Sequence, residues 1–111
     1  MDEIKKIIEK INSYSSNQID ITDYCRRRMG ERNIEETLLI FTLFSKELYE
    51  AKMQDRLFDG KPERRFKLTF RISSKYSLII VVSFYQNILK VINTIKTSKG
   101  IEKQWKKQIF K

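Results

Sequence analysis

The stretch RRFKLTFRI, residues 64–72, decides the fold. Apolar and polar residues alternate in it without a break. Phe66, Leu68, Phe70 and Ile72 fall on one side, and Arg65, Lys67, Thr69 and Arg71 on the other. A period of two is the mark of a half-buried strand. Downstream, residues 76–85 are β-branched and almost wholly apolar. Gln86-Asn87 makes a short turn, and residues 88–97 read as another strand. Upstream, residues 47–53 alternate around Tyr49. Residues 54–62 read as a turn whose strongest signal is Asp59-Gly60. Connections this short join antiparallel neighbours. The pattern therefore predicts four antiparallel strands, at 47–53, 64–72, 76–85 and 88–97.

The flanks are helical. Ile4, Ile7, Ile8 and Ile11 share one face of a helix over 2–14, which Ser15, Ser16 and Asn17 end. Asp20 or Thr22 can cap a second helix over 21–32. Asn33, with Glu36 three residues on, resembles a capping pair for a third helix over 34–43. That third helix is apolar nearly all round, so burial is expected. Ile101, Trp105 and Ile109 recur at helical spacing and predict a last helix over 99–110. The expectation is a single α+β domain over 1–111.

The charge is unevenly placed. Residues 1–63 hold 11 Lys/Arg and 13 Asp/Glu, whereas residues 64–111 hold 12 Lys/Arg and one acid, Glu102. Such an imbalance predicts a polyanion or an acidic protein as partner; a basic but merely solvated surface is the alternative. There is no histidine and only one cysteine. Zinc sites built on His/Cys spacing are excluded, as is serine–histidine or cysteine–histidine catalysis. No cofactor or metal is implied. Acid–base chemistry must come from Lys, Arg, Tyr, Asp or Glu. No apolar run reaches transmembrane length, the N-terminus is amphipathic rather than a signal peptide, and the lone thiol suits a reducing compartment. A cytoplasmic protein without a membrane partner is expected.

Basic residues gather in two places. The outward row Arg65, Lys67, Thr69, Arg71 is one. If Lys90, Ile92, Thr94 and Lys96 share a face of a neighbouring strand, the two rows form one basic surface with few acids. Tyr76 and Tyr85, at strand ends, either stack on bases or pack an edge. The second place is YCRRRMGERNI, residues 24–34. On a helix, Ile21, Cys25 and Met29 mark the apolar face, and Arg27 faces solvent near Asp23 and Glu31. Arg28 and Arg32 fall at the core edge. A guanidinium there is costly unless paired. Either both snorkel or pair with Glu35, Glu47 or Glu50, or Tyr24, Arg28 and Arg32, spaced by four, line an anion site.

The same stretch resembles a helix motif, H-x-x-x-R-M-x-x-R-G-I, of a small uncharacterised domain family related to the RelE/ParE toxins. Arg28, Met29, Arg32 and Ile34 occupy motif positions. Tyr24 stands in place of the histidine and Asn33 in place of the glycine. VINTIKT, residues 91–97, is similar to the family's closing strand. The resemblance covers roughly residues 22–97. It implies a RelE-like fold, with helices on one face of a curved antiparallel sheet and a basic open face. It also implies a toxin of a superfamily whose members either cleave messenger RNA, often on the ribosome, or inhibit gyrase, and are commonly neutralised by a partner antitoxin, for this basic chain an acidic one. The leading expectation is a toxin-like RNA endonuclease. On that reading Arg28, Arg32, Arg65, Lys67 and Arg71 hold phosphates. Lys67 or Lys96 acts as base, Tyr24 or Tyr85 orients the sugar or acts as acid, and Tyr85, Lys90 and Lys96 extend the RNA-binding surface. The alternative is a non-catalytic module that binds nucleic acid or protein through the basic face.

Overall fold

The computed structural model describes residues 2–58 and 60–98. Helix α1 (Asp2–Asn12) leads through a short 3-10 turn into β1 (Ile19–Ile21). Helices α2 (Asp23–Arg32) and α3 (Glu36–Leu43) follow, then β2 (Leu48–Phe58), β3 (Lys61–Arg71), β4 (Tyr76–Phe84) and β5 (Leu89–Ser98). The sheet order is β1-β5-β4-β3-β2.

This corrects the expected architecture. The sheet has five strands and is mixed, because Ile19–Ile21 pairs in parallel with Leu89–Val91. Three residues are too few to show a period, so β1 was hidden between a helix end and a helix cap. The helix expected over 99–110 lies outside the described residues. The β2–β3 hairpin also runs further than the turn signals implied. Phe58 pairs with Lys61, and Gly60 just before Lys61 adopts φ +73. A left-handed glycine permits such a tight link, so pairing continues to the tip. Pro62 is tolerated because β4 meets β3 only from Phe66 onward.

The helices cover one face. Ile11, Cys25, Met29, Leu39 and Leu43 pack with Leu68, Phe70, Leu78, Ile80 and Val82 in one core. Helix α1 lies against β2, α2 against β5 and α3 against β4. Thr22 caps α2, its Oγ1 accepting from the Cys25 N–H at 3.1 Å. Its own N–H donates to the Val91 carbonyl at 3.0 Å, so the cap also ties the helix start to β5. Asn33 ends α2 in the left-handed region (φ 54, ψ 43) rather than capping α3. The Ile34 N–H reaches back to the Met29 carbonyl at 2.9 Å, which closes the helix and buries Ile34. Helix α3 is one-sided, not buried all round: Leu39 and Leu43 are fully covered, while Phe41 is 77% exposed.

One irregularity positions the open face. Val81 pairs with Asn93 but Val82 pairs with Val91, so Ile92 is an extra residue in β5. A bulge of this kind breaks the alternation of side chains. Lys90, opposite Ser83, therefore lies on the open face. Thr94, opposite the core residue Ile80, and Lys96, opposite the core residue Leu78, lie on the helix side.

Candidate nucleic-acid interface

The open face carries Arg65, Lys67 and Arg71 from β3 and Lys90 from β5, with β4 between them. The two basic rows are thus not neighbours. Ile79 and Val81 of β4 separate them with an apolar stripe. At one end of that stripe lies a cleft of about 480 Å³, with Val81 and Ile92 among its lining residues. Tyr24, Gln54, Arg65, Lys90 and Asn93 line it too. Tyr24 reaches it from the first turn of α2, placed there by the Thr22 cap.

Beside the cleft sits a carboxylate between the expected turn over 54–62 and the expected strand over 64–72, where neither reading included it. The Glu63 side chain is only 10% exposed and accepts from Arg65 Nε at 2.6 Å. Its Oε2 also accepts from the Tyr85 hydroxyl at 2.6 Å and from Lys90 Nζ at 3.5 Å. The Tyr85 hydrogen bond, then Arg65 and the charge of Lys90, hold the Glu63 carboxyl below its ordinary value, against the opposing effect of burial. Glu63 is ionised at neutral pH. The open face is therefore not free of acids, as the count from residue 64 onward had suggested. Three of the predicted binding residues, Arg65, Tyr85 and Lys90, converge on this one carboxylate.

The predicted catalytic set does not assemble. Tyr24 is in the cleft and half-exposed, and Lys67 is one pairing position away from it, opposite Val81 on the open face. Arg71 lies six residues along β3 from Arg65, about 20 Å at strand rise, with its guanidinium 5.5 Å from the Tyr49 ring. Arg28 pairs with Glu31 at 2.9 Å and lies 5.9 Å from the Tyr24 ring. This partner stands in place of the glutamates of later elements, Glu35, Glu47 or Glu50, expected from sequence. Arg32 is structural: its Nη1 donates to Asn93 Oδ1 at 3.0 Å and to the Thr94 carbonyl at 2.7 Å, docking the end of α2 on β5. Lys96 faces the helix side, 4.8 Å from the Tyr76 ring, and leaves the set altogether. Cys25 is a core residue; burial pushes its thiol up to about 11 despite Arg26 and Arg32, so it is no nucleophile at neutral pH.

Sequence reasoning missed Glu63, Gln54, Val81 and Asn93, and named Ile92 only as a row-mate of Lys90 on the basic face. Glu63 had a usable signal, since it continues the Arg65, Lys67 row by one step of two. The others depend on strand order and on the bulge, which no local pattern reveals.

Compared with protein-family profiles, curated proteins and solved structures, the chain finds no match. Among the described residues, no helix is long and apolar enough to cross a membrane.

Proposed function

We propose that this chain is a toxin-type endoribonuclease that takes single-stranded RNA on its open sheet face and cuts it at the α2–β5 cleft. The observation that carries this reading is the grouping of Tyr24, Arg65 and Lys90 around one cleft, with the ionised Glu63 held by the same two cations. Aromatic stacking and phosphate-seeking cations along an open sheet suit unpaired RNA. The helix motif at Arg28, Met29, Arg32 and Ile34 supplies the resemblance to a domain family related to the RelE/ParE toxins, some of which cleave RNA.

The chemistry needs no histidine. The phosphate takes over Arg65 and Lys90, which frees the Glu63 carboxylate. Glu63 accepts the proton of the ribose 2′-hydroxyl. The 2′-oxygen attacks phosphorus, the bond to the 5′-oxygen breaks, and Lys90 returns a proton to that oxygen. The products are a 2′,3′-cyclic phosphate and a 5′-hydroxyl. Arg65 offsets the charge that develops on the phosphoryl oxygens. This assignment moves the base from Lys67 or Lys96 to Glu63 and leaves Arg28, Arg32 and Arg71 outside the reacting group.

One observation favours a second reading, a non-catalytic RNA binder. Glu63 already has three partners and a depressed pKa, which make it a weak base. End-labelled single-stranded RNA incubated with the purified chain separates the two. Cyclic-phosphate products from wild type, lost in Glu63→Gln while RNA binding persists, support the nuclease. Salt-dependent binding without any cut in wild type supports the binder. Absence of RNA binding refutes both.

A further inference from the structure

The orientation of one amide goes beyond phosphate binding. Asn93 Oδ1 accepts two hydrogen bonds, from Arg32 Nη1 at 3.0 Å and from the Thr94 backbone N–H at 2.9 Å. Both partners can only donate. The chemistry therefore fixes which end of the Asn93 amide is oxygen, and the remaining Nδ2 is a donor. Asn93 lines the cleft together with Tyr24 and the apolar residues Val81 and Ile92. Asn93 also lies three residues along β5 from Lys90, about 10 Å or somewhat less across the bulge. That separation suits one nucleotide, from its phosphate to the exocyclic group at the far edge of its base.

We infer that the cleft is a base subsite that selects an exocyclic oxo group, as in uracil or guanine, over the amino group of cytosine or adenine. The base stacks on Tyr24 and lies against Val81 and Ile92. Lys90 and Arg65 hold its phosphate, and Asn93 Nδ2 donates to the oxo oxygen. An amino group at that position would set donor against donor. Arg32 is a positioning residue here: it touches no base but keeps the amide from turning over. The inference rests on the RNA reading above and adds a specificity to it.

The test uses the full chain and fluorescent hexamers of 2′-O-methyl uridine and 2′-O-methyl cytidine, which 2′-hydroxyl attack cannot cut. Wild type binds the uridine hexamer about 3- to 10-fold more tightly, the worth of one buried hydrogen bond. Asn93→Asp keeps the acceptor for Arg32 and Thr94 and replaces only the donor. It lowers affinity for both hexamers, and the preference shrinks below about 2-fold or reverses. A hexamer of 2-pyrimidinone riboside, which lacks the 4-oxo group, gives a reading on wild-type protein alone and must bind as weakly as cytidine. Equal binding of uridine and cytidine by wild type, or a uridine preference that survives Asn93→Asp or loss of the 4-oxo group, overturns the inference and leaves the RNA reading standing. No binding of any hexamer overturns both.

Discussion

Arg65 Nε and Glu63 Oε1 are 2.6 Å apart on side chains that are 15% and 10% exposed, two residues apart on the same strand face. Three ion pairs outside this cluster differ in kind. Arg26–Glu36, Arg28–Glu31 and Arg64–Asp55 sit where solvent screens them, and each contributes about 0–1 kcal/mol. Removing the Glu63 charge turns the charge-assisted hydrogen bonds from covered donors into bonds to a neutral acceptor, at a cost of about 1–3 kcal/mol. Glu63→Gln is thus expected to lower stability in urea unfolding, whereas Asp55→Asn is expected to stay within about 0.5 kcal/mol.

The same cluster predicts a pH dependence. The folded-state pKa of Glu63 is depressed below its ordinary 4.5, chiefly by the Tyr85 hydrogen bond. Its contribution to stability is therefore fully present above that ordinary value and is lost as pH falls through the folded value. Wild type should lose stability faster than Glu63→Gln below pH 4.5. Tyr85→Phe removes the largest cause of the shift and should flatten the same limb. Urea midpoints across an acid series measure both; parallel curves for the three proteins would show that the cluster plays no part.

Asn33 is the one non-glycine residue in the left-handed region among the described residues. Asparagine tolerates that conformation better than other side chains, and glycine tolerates it best. Asn33→Ala is expected to cost about 1 kcal/mol, and Asn33→Gly to be neutral or slightly stabilising. Thermal melts of the two variants check this. A harmless alanine would mean that the end of α2 does not need the turn seen here.

Helix α3 offers a contrast between neighbours. Leu39 is fully covered and Phe41 is 77% exposed, two positions apart in ETLLIFTL. Leu39→Ala should cost about 2–5 kcal/mol through lost burial and the cavity it leaves. Phe41→Ser should change stability by less than about 0.5 kcal/mol. Denaturant midpoints of the two variants decide; comparable losses would mean that α3 is covered on both sides.

That contrast also shows where the sequence was legible. Strands β3, β4 and β5 were readable because each follows or fills a simple pattern bounded by turn residues. Helix α1 was readable from its four isoleucines. Helix α3 misled because an unbroken apolar run has no face, so composition could not tell Leu39 from Phe41. Strand β1 was invisible because three residues carry no period and its partner lies some 70 positions away, at Leu89–Val91. The site suffered from the same blindness. Arg65 and Lys90 were read as basic surface from residue type alone. Their meeting at Glu63 depends on β4 lying between their strands, and the loss of Lys96 from the face depends on a bulge at Ile92. A motif spacing of four correctly put Tyr24, Arg28 and Arg32 on one side of α2. It could not say that the third of them is spent on holding Asn93.

The cleft and the far end of β3 make opposite predictions for two arginines that the sequence treats alike. Arg65 lines the cleft, while Arg71 lies about 20 Å away along the strand, beside Tyr49. A phosphate bound in the cleft is within reach of the first and beyond reach of the second. Arg65→Lys retains the charge but loses the planar fork that meets two oxygens, so it should weaken binding of a short RNA hexamer about 3- to 10-fold. Arg71→Lys should leave the hexamer unaffected. With a longer strand that spans the face, Arg71→Ala should reduce the slope of log affinity against log salt by about 0.7, the value of one phosphate contact on single strands. Titrations at three salt concentrations measure both effects. Equal losses at the two positions with the hexamer would place the RNA along the whole of β3 and remove the cleft from the centre of the interface.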